Sequence, residues 1–462
     1  MCRISAILQR LLSQAHKILL IALLARLLVG CQAMAPAPSE TAVPTDFEAN
    51  TPTATASRAL PTATLMPMPP VPTAATPFPP LAELPTSEIS YLIPLTLQQV
   101  SERSAQLLFE LDHAATGDLL LRVVDQRNNY VQSIPISPNL TYQQINLGPL
   151  EPGTAYEVVL GLRTPDGSYA QPAFLGDAWG SLRFHTQPTA EPLRVGVIGD
   201  SGFGEPVTAQ LAGLMAGHPL DFVIHTGDLV YKAGENASPA EAFSLKYFQP
   251  FAPLLHQLPI YPVPGNHDYA SDARVNGTPY YFHAFPPLSD AILAAQTSSA
   301  KRQYYALVYQ NIQFIFLDSQ VFFGEEGRLE QDTWLAQRLQ DDQFAYSVVI
   351  SHVPPFTSSA INTADSLAVR QAWQPLFASA HVPLVLSGHS HDYERLIVDG
   401  VTYLVSGGGS DALYPLGVRD PHSQAFVISS HFVFLEFYED QIKIVAIDKN
   451  RKILDQAQVP LQ

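Results

Sequence analysis

The sequence predicts an α/β domain, built as a β-sandwich flanked by helices and preceded by a smaller all-β sandwich. Three observations predict it. From residue 191 onward, apolar runs such as RVGVIGDSG (194–202) and YSVVISHVPP (346–355) end in polar, glycine-flanked tips. Helical stretches lie between them, among them TAQLAGLMAG (208–217) and LEQDTWLAQRLQD (329–341). Continuously apolar strands separated by helices are strands buried on both faces, which is the α/β pattern. Between 87 and 188 the pattern differs: short alternating runs recur with turn signals between them, as in an antiparallel sandwich.

The N-terminal elements read as an address rather than a fold. The chain has 462 residues, enough for two folded units plus extensions. Its net charge is -17, with Arg3, Arg10, Lys17 and Arg26 all lying ahead of residue 31, so the remainder is more acidic still. An acidic chain without a Lys/Arg block holds neither nucleic acid nor an anionic membrane surface by charge, and no nucleic acid binding is expected. An anionic substrate would need locally supplied positive charge, for which bound cations are the obvious source. The two cysteines, Cys2 and Cys31, build no disulfide framework in the folded part. Residues 18–29 (ILLIALLARLLV) are apolar but short, and Arg26 interrupts them. They end in Leu28-Val29-Gly30-Cys31, which resembles a bacterial lipobox. That resemblance implies a signal peptide over 1–30, a diacylated Cys31, and a lipoprotein anchored to the membrane outside the cytoplasm, on the cell surface or periplasmic side. Residues 31–86, rich in Pro, Thr and Ala, cannot bury enough surface to offset their ordering entropy and read as an extended linker.

Within 87–188, LLFEL (107–111), LLLRVVD (119–125), AYEVVLGLRT (155–164) and SLRFHT (181–186) read as strands, with TPDGS (164–168) as a tight turn. Leu150-Glu151-Pro152-Gly153-Thr154-Ala155-Tyr156 resembles the fibronectin type III signature, with Tyr156 as the tyrosine-corner residue. The favoured role is a spacer packed on the next domain, which is set at 191–462.

The chemistry gathers at the strand tips of that domain. Asp200, Asp228, Tyr231, Asn266, His352, His389 and His391 each follow a run of apolar residues. In an open α/β layout such tips meet at one rim. Carboxylate, phenolate, amide and imidazole are nitrogen and oxygen donors that suit Fe, Mn or Zn. Seven ligands exceed the needs of one ion and suit two that share a carboxylate.

The ordered series GDSG (199–202), GDLVY (227–231), GNHD (265–268), VISH (349–352) and GHSHDYER (388–395) resembles the calcineurin-like metallophosphoesterase superfamily. Within it, Tyr231, three residues after Asp228, makes the chain most similar to the purple acid phosphatases, where a tyrosinate binds ferric iron. The resemblance implies one ion held by Asp200, Asp228, Tyr231 and His391, and a second held by Asp228, Asn266, His352 and His389. The implied pair is Fe(III) with Fe(II), Zn(II) or Mn(II). The implied reaction is hydrolysis of phosphate monoesters by in-line attack of a metal-bound hydroxide on phosphorus. His267 is then the candidate proton donor to the leaving group, and Asp268 would orient its imidazole or raise its pKa. A phosphodiesterase or nucleotide hydrolase on the same centre, and a noncatalytic surface binding protein, are the alternatives.

Other residues are less decided. Tyr393 and Arg395 read equally as pocket or scaffold groups, and His225 reads as a core residue behind the ligands. The loop 353–366 (VPPFTSSAINTADS) lacks the histidines that help plant and animal purple acid enzymes bind phosphate. His283 could substitute, though a surface role is expected. The insert 270–302 is long enough to shape access to the site. Residues 432–455 read as a closing antiparallel hairpin.

Overall fold

A computed structural model describes residues 83–124, 131–187, 192–288, 303–361 and 363–461. The signal, the Cys31 anchor and nearly all of the linker lie outside the described residues, as does 289–302 of the expected access-shaping insert. Everything described belongs to the unit Pro72–Gln462.

Two sheets face each other downstream of residue 192. The first runs, in spatial order, Ile260–Pro262, Phe222–His225, Leu193–Ile198, His431–Phe437, Gln441–Asp448 and Ile453–Pro460. Its first three strands are parallel and its last three antiparallel. The expected closing hairpin is therefore a three-stranded meander, extended by Ile453–Pro460. The second sheet runs Tyr305–Tyr309, Ile312–Leu317, Tyr346–Ser351, Leu384–Ser387, Val401–Ser406, Tyr393–Val398 and Ser423–Val427. Its four strands from Ile312–Leu317 to Val401–Ser406 are parallel, and the strands at its edges pair antiparallel.

Side-chain alternation sorts each strand between two layers. Val195, Val197, Phe222, Ile224, Phe314, Phe316, Val348 and Ile350 meet in the cluster between the sheets. Their neighbours Ile315, Leu317 and Val349 pack outward against Trp334, Leu335, Trp373 and Phe377 of the helices Arg328–Leu339 and Thr363–Ser379. On the opposite side Leu211, Ala212 and Met215 of the helix Pro206–Ala216 lie over the first sheet. Strands with both faces covered need apolar residues at every position, which is the run pattern seen in the sequence.

Residues 86–185 hold nine strands and, among the described residues, no helix. The expected strands fall at Ala105–Leu111, Gly117–Val123, Ala155–Arg163 and Leu182–His185. In the turn between Arg163 and Tyr169, Gly167 sits at φ +86° and its N–H donates to the Thr164 carbonyl at 2.9 Å. The Tyr156 hydroxyl accepts from the Glu151 N–H at 2.8 Å, pinning the connection back onto its own strand. This all-β segment packs on the α/β part of the chain. Tyr309 OH donates to the Val100 carbonyl at 3.1 Å, Arg183 N–H to the His256 carbonyl at 2.7 Å, and Tyr142 OH to the His283 carbonyl at 3.0 Å. His283 also bonds Glu110 at 2.7 Å, so it joins the two segments.

Candidate metal centre

Three neighbouring parallel strands explain why the tips converge. Asp200 follows Leu193–Ile198, Asp228 follows Phe222–His225, and Asn266 follows Ile260–Pro262; His352 and His389 follow Tyr346–Ser351 and Leu384–Ser387 of the other sheet. All five therefore leave the carboxyl ends of parallel strands. Asp200, Asp228 and His389 sit at φ +56°, +55° and +66°. A left-handed backbone costs a non-glycine residue about 1 kcal/mol or more, and three such residues at one place mark a site where chemistry overrides local comfort. Two glycines make the approach possible. A Cβ on Gly388 would stand 2.4 Å from Asp200 Oδ2, and one on Gly265 would stand 2.2 Å from Asp228 Oδ1.

The seven residues form two groups that share Asp228. In the first, Tyr231 OH lies 3.0 Å from Asp200 Oδ1 and 2.9 Å from His391 Nε2. In the second, Asn266 Oδ1 lies 3.1 Å from His352 Nε2 and 3.0 Å from His389 Nδ1, and those two ring nitrogens are 3.2 Å apart. Asp228 Oδ2 is 3.5 Å from His352 Nε2, and the charge of the same carboxylate acts on the Tyr231 phenol alongside that of Asp200. Ligand atoms of Asp200, Asp228 and His352 can be chosen within 4.8 Å of one another, so Asp228 stands near a member of each group.

The outer contacts show which nitrogen each imidazole presents. His352 Nδ1 donates to the Thr226 carbonyl at 2.8 Å, which turns Nε2 toward the cluster. His391 Nδ1 donates to the Ala412 carbonyl, and its Nε2 faces Asp200 and Tyr231. His389 Nε2 bonds Asp365 Oδ2 at 3.2 Å, which turns Nδ1 inward. Two imidazole nitrogens and an amide oxygen thus converge, an arrangement that a cation satisfies when both rings are neutral. The donor set fits a binuclear metal centre.

Electrostatics point the same way. Burial opposes charge on Asp228, yet His352 and the His267 N–H, which donates at 2.8 Å, hold its carboxyl well below the ordinary range. Burial, reinforced by Asp200 and Asp228, pushes the Tyr231 phenol well above its usual value, so only a bound cation would make it a phenolate. His225 is fully buried; burial pushes it down to about 4, and as a neutral ring it bonds Ser201 Oγ at 2.8 Å and accepts from the Gly227 N–H at 3.2 Å. It ties the first two ligand loops together from behind, as its position in the sequence suggests.

A cavity of about 340 Å³ opens above the cluster, lined by Asp228, Asn266, His267, His389 and His391 together with rim residues. The His267 ring is half-buried and packs 4.2 Å from the Tyr231 ring. Asp268 departs from its expected part. Its carboxylate accepts the backbone N–H groups of Asp228 at 3.0 Å, Leu229 at 3.0 Å and Gly265 at 2.8 Å, clamping two ligand loops together rather than steering the His267 ring. Tyr393 and Arg395 are scaffold groups: Tyr393 OH and Arg395 Nε donate to Asp455 Oδ2 at 2.8 and 2.7 Å. Three residues escaped the sequence reading. Phe203 stacks on Tyr231 at 3.8 Å, Tyr414 stacks on His391 at 3.9 Å, and Asp365 holds His389. Only Asp365 had a signal, as the acid in the first turn of the helix Thr363–Ser379.

Residues 193–393, which carry all of these ligands, match the family model of the calcineurin-like phosphoesterases, and this segment is a calcineurin-like phosphoesterase domain. Purple acid phosphatases are among the proteins it is similar to. Purple acid phosphatase 23 of Arabidopsis thaliana is 25% identical over 311 residues, covering 61% of this chain and 64% of that protein. Purple acid phosphatase 22 of the same plant is 24% identical over 254 residues, covering 54% of this chain and 52% of that protein. The chain thus spans less than two thirds of the length of either. Among solved structures, purple acid phosphatase PPD1 from yellow lupin (Lupinus luteus) seeds superposes with a TM-score of 0.61 at 15% identity, covering 79% of this chain and 74% of that one. PhoD superposes with a TM-score of 0.53 at 13% identity, covering 80% and 93%. Both share the fold.

Proposed function

We propose that this protein is a hydrolase of phosphoric esters working at a two-metal centre. The observation that carries the reading is the meeting of seven donor side chains in two groups that share Asp228. One ion would be held by Asp200, Asp228, Tyr231 and His391, and the other by Asp228, Asn266, His352 and His389. When bound, such ions supply positive charge to the phosphoryl oxygens and lower the pKa of water toward neutrality. The chain's own groups do the rest. Asn266 and His267 are held at the cavity by the Asp268 clamp, and the His267 ring is placed to pass a proton to the departing oxygen. Burial of Tyr231 against Phe203 keeps water from that ligand.

Tyr231 favours a trivalent iron at the first position, and Asn266 with two imidazoles favours Fe(II), Zn(II) or Mn(II) at the second. The lipobox-like Cys31 would anchor the protein outside the cytoplasm, with a fibronectin type III-like segment between linker and catalytic part. Elemental analysis of the purified protein, with p-nitrophenol release from an aryl phosphate, tests the centre. Two ions per chain and turnover are expected, with both lost in Asp228→Asn; a metal-free protein, or a fully loaded one with no esterase activity, would sink the reading. A visible charge-transfer band that disappears in Tyr231→Phe tests the ferric assignment separately.

A further inference from the structure

The rim of the cavity carries information that the metal ligands do not. Among the described residues, no Lys or Arg lines it. Its rim is made by Gln320, Phe323, Val353, Asp365 and Tyr414. Phe323 is 43% exposed, and the Asp365 side chain 41%. The loop leading into the helix of Asp365 is paired with the one that carries Tyr414: Ala360 N–H donates to the Pro415 carbonyl at 2.9 Å, Gly417 N–H to the Ser358 carbonyl at 2.8 Å, and Ser359 bridges Leu416. Beyond the rim these loops expose Ile361 at 42%, Leu416 at 44% and Val418 at 92%.

A phosphate monoester reaches such a mouth as a near-dianion, with peripheral oxygens beyond those the ions neutralise. Those oxygens would face the Asp365 carboxylate, and like charges at short range in a partly dry cleft repel. A diester carries one charge fewer, and its second ester group replaces an oxygen with carbon that needs an apolar surface. Phe323, Val353, Tyr414 and the exposed aliphatic residues of the paired loops offer that surface.

Resting on the hydrolase reading above, we propose that the site selects phosphodiesters bearing an apolar or aromatic second ester group over phosphomonoesters, with Asp365 and Phe323 setting the preference. Water adds its oxygen to phosphorus, the bond to the leaving alcohol breaks, and one proton passes to that alcohol. The other proton of the water is released to solvent, so the monoester left behind has gained a charge, and Asp365 favours its departure over a second hydrolysis.

The test uses the metal-loaded, full-length protein and three probes: bis(p-nitrophenyl) phosphate, methyl p-nitrophenyl phosphate and p-nitrophenyl phosphate. The bis-aryl diester is expected to exceed the monoester in kcat/KM by about tenfold or more, and the methyl diester by about fivefold, mostly in KM. Asp365→Asn keeps an oxygen for the His389 Nε2–H, and with turnover counted per metal-loaded site the diester-to-monoester ratio should fall by about fivefold. Phe323→Ala should erase the difference between the two diesters. A preference for the monoester, or a ratio unmoved in Asp365→Asn with metal retained, overturns the proposal. Metal loss in Asp365→Asn would confine that residue to holding His389 and overturn its part in selection. Failure of the loaded wild-type protein on all three probes would instead overturn the hydrolase reading underneath.

Discussion

Asp268 shows how much one buried carboxylate can organise. Three backbone amides from two loops converge on it, although burial and the charge of Asp228 push its pKa up to about 8 against their pull. Asn in its place keeps one acceptor and turns an NH2 group toward an amide donor. Asp268→Asn is expected to lower stability by about 2–4 kcal/mol in urea melts and to weaken metal binding in titrations, because Asp228 and Asn266 lose their shared support. A variant with wild-type metal affinity would mean that the loops hold themselves. The sequence shows a carboxylate following His267, but two of the three amides it serves are 39 and 40 residues away, so no local pattern could have assigned those two.

At the scale of elements, the strand-to-loop junctions decide the site. Gly388 lets the second sheet bring His389 against Asp200, whose carboxylate accepts the His389 N–H at 2.9 Å. Gly388→Ala should therefore abolish metal binding, read by elemental analysis, while a folded far-UV spectrum persists. Gly213 gives the contrast: it lies exposed in the helix Pro206–Ala216, and an added Cβ would meet nothing within 4 Å. Gly213→Ala should raise stability by roughly 0.5–1 kcal/mol with activity unchanged. The strands, both expected helices and the ligand order were legible because each is a local pattern of apolar runs and punctuation. The helix Thr363–Ser379 is not, since the Ser, Thr, Asn and Asp of the preceding loop continue into its first turn and hide Asp365 there.

Across the whole molecule, two long-range features carry stability. Asp455, from the last strand, accepts from Tyr393 and Arg395 of the other sheet and so fastens the sandwich at one edge. Asp455→Ala strands a mostly buried guanidinium and should cost about 2–3 kcal/mol in thermal or urea unfolding, with little change in kcat. The second feature is a pair of buried histidines. Burial pushes both His225 and His431 from 6.5 down to about 4. Between those values the unfolded chain binds protons that the folded one refuses, so stability rises with pH through this window and is lost as pH falls from about 6.5 to 4. Each contributes about 3 kcal/mol to that loss. Melts of the metal-free protein at pH 7 and pH 4.5 should show a drop, and a smaller one in His431→Gln; equal melting temperatures would discount the pair.

The sequence alone determined the α/β layout, the order of the five tips and the chemistry of their donors, since buried strands and turn glycines are written locally. Tertiary structure decided what each donor faces. It paired Asp228 with both ligand groups, turned Nδ1 of His389 inward by way of Asp365, withdrew Tyr393 and Arg395 from the cavity, and gave the rim its carboxylate and aromatic faces. The physical reason is distance along the chain. A metal site and its mouth are assembled from loops as far apart as residues 200 and 414, and only the packing of two sheets brings those loops to one rim.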